Sequence, residues 1–273
     1  GDGHLHVDRE RCDDGNTVTG DGCHLCQVIV QVAAKNHHAC ARSSSGDVKC
    51  WGRNDWGQLG QGHANVIGDD PGEIAALPAI ALGQPATDVA VGDRHTCAAL
   101  LDGTVKCWGW NGYGQLGIGL PIGQSIGVAP ADMGNLAAVS FPFPVQKLSL
   151  GYYRSCALLS NGEVYCWGRN GQGALGSGTA EMADPYAATP RKVEVGGVEV
   201  DVTTFTRHTC ILTAGGDVRC WGENAYGALG IGMATGFNVG DEPNDLRDLQ
   251  WCALLLGLRQ QRTARLAEHR GPR

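Results

Sequence analysis

A thirteen-residue phrase returns four times along this chain, and a repeat of that length and regularity restricts the fold to an array of like units. The phrase opens with Cys-Trp-Gly at 50–52, 107–109, 166–168 and 220–222. It carries Asn54, Asn111, Asn170 and Asn224, and it closes on Gly-x-Leu-Gly-x-Gly. Successive copies stand 57, 59 and 54 residues apart, the length of a supersecondary unit with several strands. A unit this small cannot bury its apolar face alone and must pack it against the neighbouring copy.

Ten residues before each phrase stands a second cysteine, giving the pairs Cys40 and Cys50, Cys97 and Cys107, Cys156 and Cys166, and Cys210 and Cys220. The segment between them reads as a β-hairpin. A glycine follows the first cysteine by six residues in every copy, at Gly46, Gly103, Gly162 and Gly216. If that glycine ends a three-residue loop in the left-handed region, residue 100 faces residue 104 in the second copy, and Cys97 then faces Cys107. Directly opposed residues lie about 4.5–5.5 Å apart, within reach of a disulfide. The same register applies to all four copies, and each bridge is expected to contribute about 2–3 kcal/mol by restricting the unfolded chain. Alternation along the strand puts Trp51, Trp108, Trp167 and Trp221 on the face opposite the bridges, where large rings can be buried between stacked sheets.

Composition agrees with strands and turns. The 42 glycines among 273 residues are about twice the usual share of ~7%. No apolar run is long enough to span a membrane. The net charge of −7 is uneven: residues 257–273 hold five Arg and one Glu, and the remainder sets 16 Lys+Arg against 27 Asp+Glu, a net −11. An acidic body offers no electrostatic footprint for nucleic acid. Twelve cysteines at this density point to an oxidising compartment, so a secreted or cell-surface location is expected.

The repeated phrase, His-Thr-Cys-Ala-x-Leu-x-x-Gly-x-Val-x-Cys-Trp-Gly-x-Asn-x-x-Gly-x-Leu-Gly-x-Gly, resembles the repeat of the regulator of chromosome condensation family over residues 33–240. The resemblance implies an all-β chain: a β-propeller built from repeats of 54–59 residues, four of them clear here, as an incomplete ring of a seven-bladed type. The paired cysteines look like an exported bacterial branch whose members are sometimes labelled as having BNR repeats, although the sialidase-type Ser-x-Asp-x-Gly-x-Thr-Trp box is absent. At the N-terminus, Cys12-Asp-Asp-Gly-Asn16 and Gly20-Asp-Gly-Cys23-x-x-Cys26 resemble a cysteine-rich repeat of secreted myxobacterial-type proteins. The expected organisation is a cysteine-rich module over 1–30, propeller repeats over 31–245 and a divergent or truncated tail over 246–273. In that tail Trp251-Cys-Ala-Leu-Leu-Leu256 echoes the first hairpin strand without a second Cys or Cys-Trp-Gly. With no initiator Met at residue 1, the chain also reads as a processed or excised piece.

No chemical site converges in the sequence. The glycine loops lack the Gly-Lys-Ser/Thr of a phosphate loop and the helix of a dinucleotide fold. His38, His95 and His208 precede the hairpin cysteines by two residues, but Arg154 replaces the third copy's imidazole, which breaks a shared metal set and favours structural hydrogen bonding. Cys12, Cys23 and Cys26 with His4 and His6 offer zinc ligands, yet a second close cysteine pair is missing; a disulfide knot is preferred, its third partner lost upstream or supplied by Cys252. Asp13, Asp14, Asn16 and Asp21 are weak calcium candidates without EF-hand spacing, and turn formation by these side chains is the simpler reading. No cofactor and no catalytic residue is expected.

The expected function is therefore an extracellular or cell-surface scaffold for protein or glycan binding, without catalysis. It would present the stretches 63–88, 120–142 and 179–201, where the copies differ most. The resemblance also implies, as an alternative, a guanine-nucleotide-exchange regulator like the family's founder. An exported hydrolase using loop carboxylates is the further alternative.

Overall fold

Each hairpin forms in the register set by its glycine. The computed structural model describes residues 23–24, 27–178, 185–231 and 238–239. In it Cys40 faces Cys50, Cys97 faces Cys107, Cys156 faces Cys166 and Cys210 faces Cys220. All four pairs are bonded, with Cα–Cα separations of 4.0–4.1 Å, slightly closer than the sequence estimate. The turn is the one anticipated: Gly103 N donates to Leu100 O at 2.9 Å, Leu100 N donates to Thr104 O at 2.8 Å, and Gly103 has φ 84°. A side chain there would be strained in the left-handed region, which accounts for glycine at this position in every copy.

Four antiparallel sheets result. The first is β1 (Cys23–His24), β2 (Gln27–Lys35), β3 (His38–Ser43) and β4 (Val48–Gly52). The second is β5 (Ala86–Val91), β6 (His95–Leu100), β7 (Val105–Trp110) and β8 (Ser125–Ile126). The third is β9 (Val145–Leu150), β10 (Arg154–Leu159), β11 (Val164–Arg169) and β12 (Tyr186–Lys192). The fourth is β13 (Glu199–Thr204), β14 (His208–Thr213) and β15 (Val218–Gly222). In the first and fourth sheets single bridges, Gly52 to Ile67 and Gly222 to Val239, stand on the outer side of the last strand. Strands β2, β5, β9 and β13 touch in succession, so they line the hub and each sheet is a blade of a propeller. Strand β2 starts at Gln27, and Val28 O accepts Ser44 N of the hairpin.

The blades are joined by a lock that recurs with the phrase. Trp108 Nε1 donates to Gln58 O of the preceding glycine loop at 3.0 Å, Trp167 Nε1 to Gln115 O at 2.9 Å, and Trp221 Nε1 to Ala174 O at 3.1 Å. These three indoles are fully buried, which satisfies their one polar atom while removing the rings from water. The loop must lie flat on the ring for this: a Cβ on Gly117 would stand 2.6 Å from Trp167 Nε1. The loop itself is stapled by the repeated asparagine, whose Oδ1 accepts Leu59, Leu116, Leu175 and Leu229 N at 3.0–3.2 Å from Asn54, Asn111, Asn170 and Asn224. Trp51 in the first blade is half-buried, with no preceding glycine loop among the described residues.

The variable stretches do more structural work than their sequences disclose. Gly62 N donates to Gly127 O at 3.0 Å and Gly119 N to Ala188 O at 3.0 Å, so the stretches 120–142 and 179–201 clamp the glycine loop of the blade before. Asp13, Asp14, Asn16, Asp21, Cys12, Cys26 and Cys252 lie outside the described residues, as do the side chain of Cys23 and the tail. Among the described residues no helix is long and apolar enough to cross a membrane.

Candidate functional site

The lock has a second component, and it differs between blades. His38 Nε2 lies 2.9 Å from Thr96 Oγ1 of the next blade, and that hydroxyl donates to Gln58 O at 2.8 Å. In the same way His95 Nε2 lies 2.9 Å from Ser155 Oγ, which donates to Gln115 O at 2.9 Å. Both imidazoles are buried and held neutral. Burial, with the neighbouring His37, pushes His38 down to about 4, and burial, with His38 and Lys35, pushes His95 down to about 3. These histidines hold blades together and are not brought together as ligands.

In the third blade Arg154 occupies the histidine position. Its Nη2 reaches Phe205 O at 3.3 Å and His208 O at 2.9 Å in the fourth blade. The residue is 3% exposed, and its Nε has no hydrogen-bond acceptor among the described residues. Burial, then the charge of Arg169, pushes the guanidinium down to about 9, which leaves it protonated at neutral pH. Burial, and then the Arg154 charge, lowers the pKa of Lys35 and of His208. A buried cation with cationic neighbours is an expensive arrangement.

Arg154 opens onto one rim of the propeller. That rim is built by the turn between the first two strands of each blade and by the residue after Cys-Trp-Gly. The two are tied together, since Arg53 N donates to His37 O, Trp110 N to Arg94 O, Arg169 N to Tyr153 O and Glu223 N to Arg207 O, all at 2.8–2.9 Å. The backbone frame is thus constant while the side chains vary. The Arg94 guanidinium lies 5.6 Å from the Trp56 ring, 5.3 Å from Trp110 and 6.0 Å from Tyr153. Trp110 meets Tyr153 edge-on at 4.9 Å, Tyr152 meets Tyr153 at 4.4 Å, and Arg169 lies over Tyr113 at 5.1 Å. Burial raises the Tyr153 phenol to about 12, so it stays neutral.

Beside this row, between the third and fourth blades, a cleft of about 330 Å³ is walled by Tyr152, Tyr153, Arg154, Arg169, Gln172 and Arg207, among others. Arg207 is tied to Glu223 at 2.9 Å. Among the described residues no group of three or more His, Cys, Asp or Glu is placed to hold a metal ion. Trp56, Arg94, Trp110, Tyr113, Tyr152, Tyr153, Arg169 and Arg207 were not singled out as site residues by the sequence. Their signal was variation at fixed positions of a constant phrase, with Arg and aromatic residues filling the variable slots.

Comparison with known proteins places this architecture. Two family models described as the regulator of chromosome condensation (RCC1) repeat match the chain, one over residues 45–99, 102–158 and 161–212, the other over 29–58, 86–115, 145–174 and 206–228. The ultraviolet-B receptor UVR8 of Arabidopsis thaliana is 30% identical over 211 residues, which are 75% of this chain and 43% of that protein. The E3 ubiquitin-protein ligase HERC2 of Homo sapiens is 28% identical over 75% of this chain and 4% of its own length. Among solved structures, yeast RCC1 (Prp20) bound to Kap60 superposes with a TM-score of 0.62 at 20% identity, covering 80% of this chain and 48% of that one. Human WBSCR16 superposes with a TM-score of 0.62 at 19% identity, covering 82% and 54%. The chain thus spans less than half the length of these curated relatives.

Proposed function

Because this chain belongs to the regulator of chromosome condensation (RCC1) repeat family, we propose that it is a non-catalytic propeller scaffold that binds a protein or glycan on the rim carrying Arg94, Trp110 and Tyr153. The aromatic and arginine row carries this reading. Trp, Tyr and Arg are the residues that dominate binding energy at protein interfaces, and here they are gathered on one rim by a frame of backbone hydrogen bonds. Yeast RCC1, which shares this fold, has been solved bound to Kap60, so one protein with this propeller takes a protein partner. The four hairpin disulfides support a secreted or cell-surface setting, since such bridges persist where thiols are oxidised.

The test is capture by the immobilised, oxidised protein, from extracellular extract and on a glycan array, beside a Trp56→Ala/Trp110→Ala variant with an unchanged melting transition. A ligand held by the parent and lost by the variant is expected. Capture that ignores the variant overturns the rim assignment. Free thiols at the four hairpin pairs in protein from its native source would overturn the extracellular setting.

A further inference from the structure

We propose that the cleft between the third and fourth blades receives a carboxylate from an acidic peptide segment of a partner protein, with Arg154 as the buried cation that the carboxylate neutralises. This deepens the scaffold reading and rests on it. Charge balance differs between the blades around the rim. In the second blade Arg94 stands beside its own Asp93, with Nε 3.2 Å from Oδ2, and Asp93 is itself 2% exposed and bonded by Asn36 Nδ2 at 2.6 Å. In the third blade Tyr152 occupies the position of Asp93, so the turn brings no carboxylate. Arg207 has Glu223. Among the described residues Arg154 bonds two backbone carbonyls, keeps an Nε with no acceptor, and has Arg169 as the charged group acting on it.

A buried cation in that state gains most from a desolvated anion, and guanidinium groups bind carboxylates with directed, charge-assisted hydrogen bonds. The repeat itself marks the place. Histidine serves at this position in the other three copies, so arginine departs from the rule of the fold at the same point where the cleft opens. An acidic peptide is favoured over an acidic sugar because the ring faces are already occupied. Trp110, Tyr113 and Tyr153 pack on one another and are covered by Arg94 and Arg169, which leaves the Arg154 guanidinium at the cleft and few open aromatic platforms for a pyranose. With a net charge of −7 the chain has no general attraction for polyanions, so binding of one reports a local site.

Titration calorimetry of the whole protein with an acetylated, amidated octaglutamate peptide is the decisive measurement. Octaglutamine and oligogalacturonate serve as the uncharged and sugar-borne comparisons. Octaglutamate is expected to bind, octaglutamine to give no signal, and Arg154→Met to weaken octaglutamate at least tenfold with an unchanged melting transition. Arg154→Lys should restore part of the affinity. Failure of octaglutamate to bind, indifference to Arg154→Met, or tighter binding of oligogalacturonate would each overturn the proposal. If the rim variant still loses a captured ligand in that case, the scaffold reading stands and only the acidic-peptide assignment falls.

Discussion

The junction between the second and third blades and the junction between the third and fourth use the same frame and opposite electrostatics. At the first, neutral His95 closes on Ser155 and the glycine-loop carbonyl of Gln115, and every polar atom except His95 Nδ1 and the Gln115 amide nitrogen in that group is bonded. At the second, charged Arg154 spans to the carbonyls of Phe205 and His208, while Thr209 Oγ1 reaches the loop carbonyl of Ala174 at 3.0 Å with no imidazole behind it. The tryptophan half of the lock is common to both. What differs is therefore added to a fastening that both junctions already share. The fold tolerates a buried charge at one junction because the indole and the hydroxyl already secure it.

The largest expected effect tests whether the shared half really is shared. Trp167→Ala and Trp221→Ala each delete a fully buried indole and its hydrogen bond to the loop before it. Each should cost about 3–5 kcal/mol in urea unfolding, the range for large aromatic truncations in cores. Equal losses at the two junctions are expected. A markedly smaller loss for Trp221→Ala would show that Arg154 carries weight that the contacts do not reveal.

A smaller effect separates the junctions by pH. The unfolded imidazole takes up a proton near 6.5, whereas His38 and His95 are depressed in the fold to about 4 and about 3. Their contribution is complete above pH 6.5 and is lost as pH falls through that window, by roughly 2 kcal/mol each by pH 4.5. Arg154 is protonated in both states over the same range and adds no slope there. Substituting His95→Gln should flatten the acid limb of a stability–pH profile, and an unchanged limb would remove the neutral-lock account of His95.

Much of this was legible in the sequence because it is local or repeated. The spacing from Cys97 to Gly103 to Cys107 fixes a register, and a register fixes which residues can bond. The alternation of Cys107 and Trp108 gives the buried ring its face, although not its acceptor on Gln58, which comes from the preceding blade about fifty residues away. The rim was hidden for the same reason. Arg94 meets Trp56 and Tyr153 only because three blades turn about one hub, and no pattern within a single copy records that neighbourhood. Arg154 was visible as the one departure from histidine, but sequence alone read it only as an argument against a metal set. Its burial, and the lack of a carboxylate partner among the described residues, are properties of the packed junction. The stretches 120–142 and 179–201 were read as presenting surfaces because they vary, and the clamps by Gly127 and Ala188 explain part of that variation as fitting each blade to the loop before it.

The smallest expected effect is the sharpest test of the contrast. Arg154→Met keeps a long side chain at the third junction while removing the charge. Cutting the pairing of a buried ion by deleting one partner usually destabilises, because the other charge is stranded, but among the described residues Arg154 has backbone carbonyls and no carboxylate to strand. The substitution forfeits two hydrogen bonds, worth about 1–3 kcal/mol each with a charged donor, and it releases the desolvation penalty of the guanidinium together with the repulsion from Arg169, of similar size. Nearly cancelling terms leave a net change within about 1 kcal/mol, measured by urea unfolding beside His95→Met, which leaves the Ser155 hydroxyl without its imidazole partner at a fully buried site. If Arg154→Met instead costs as much as His95→Met, the guanidinium is as architectural as the imidazole, and the departure from the repeat at residue 154 is a variation of the lock with no ligand behind it.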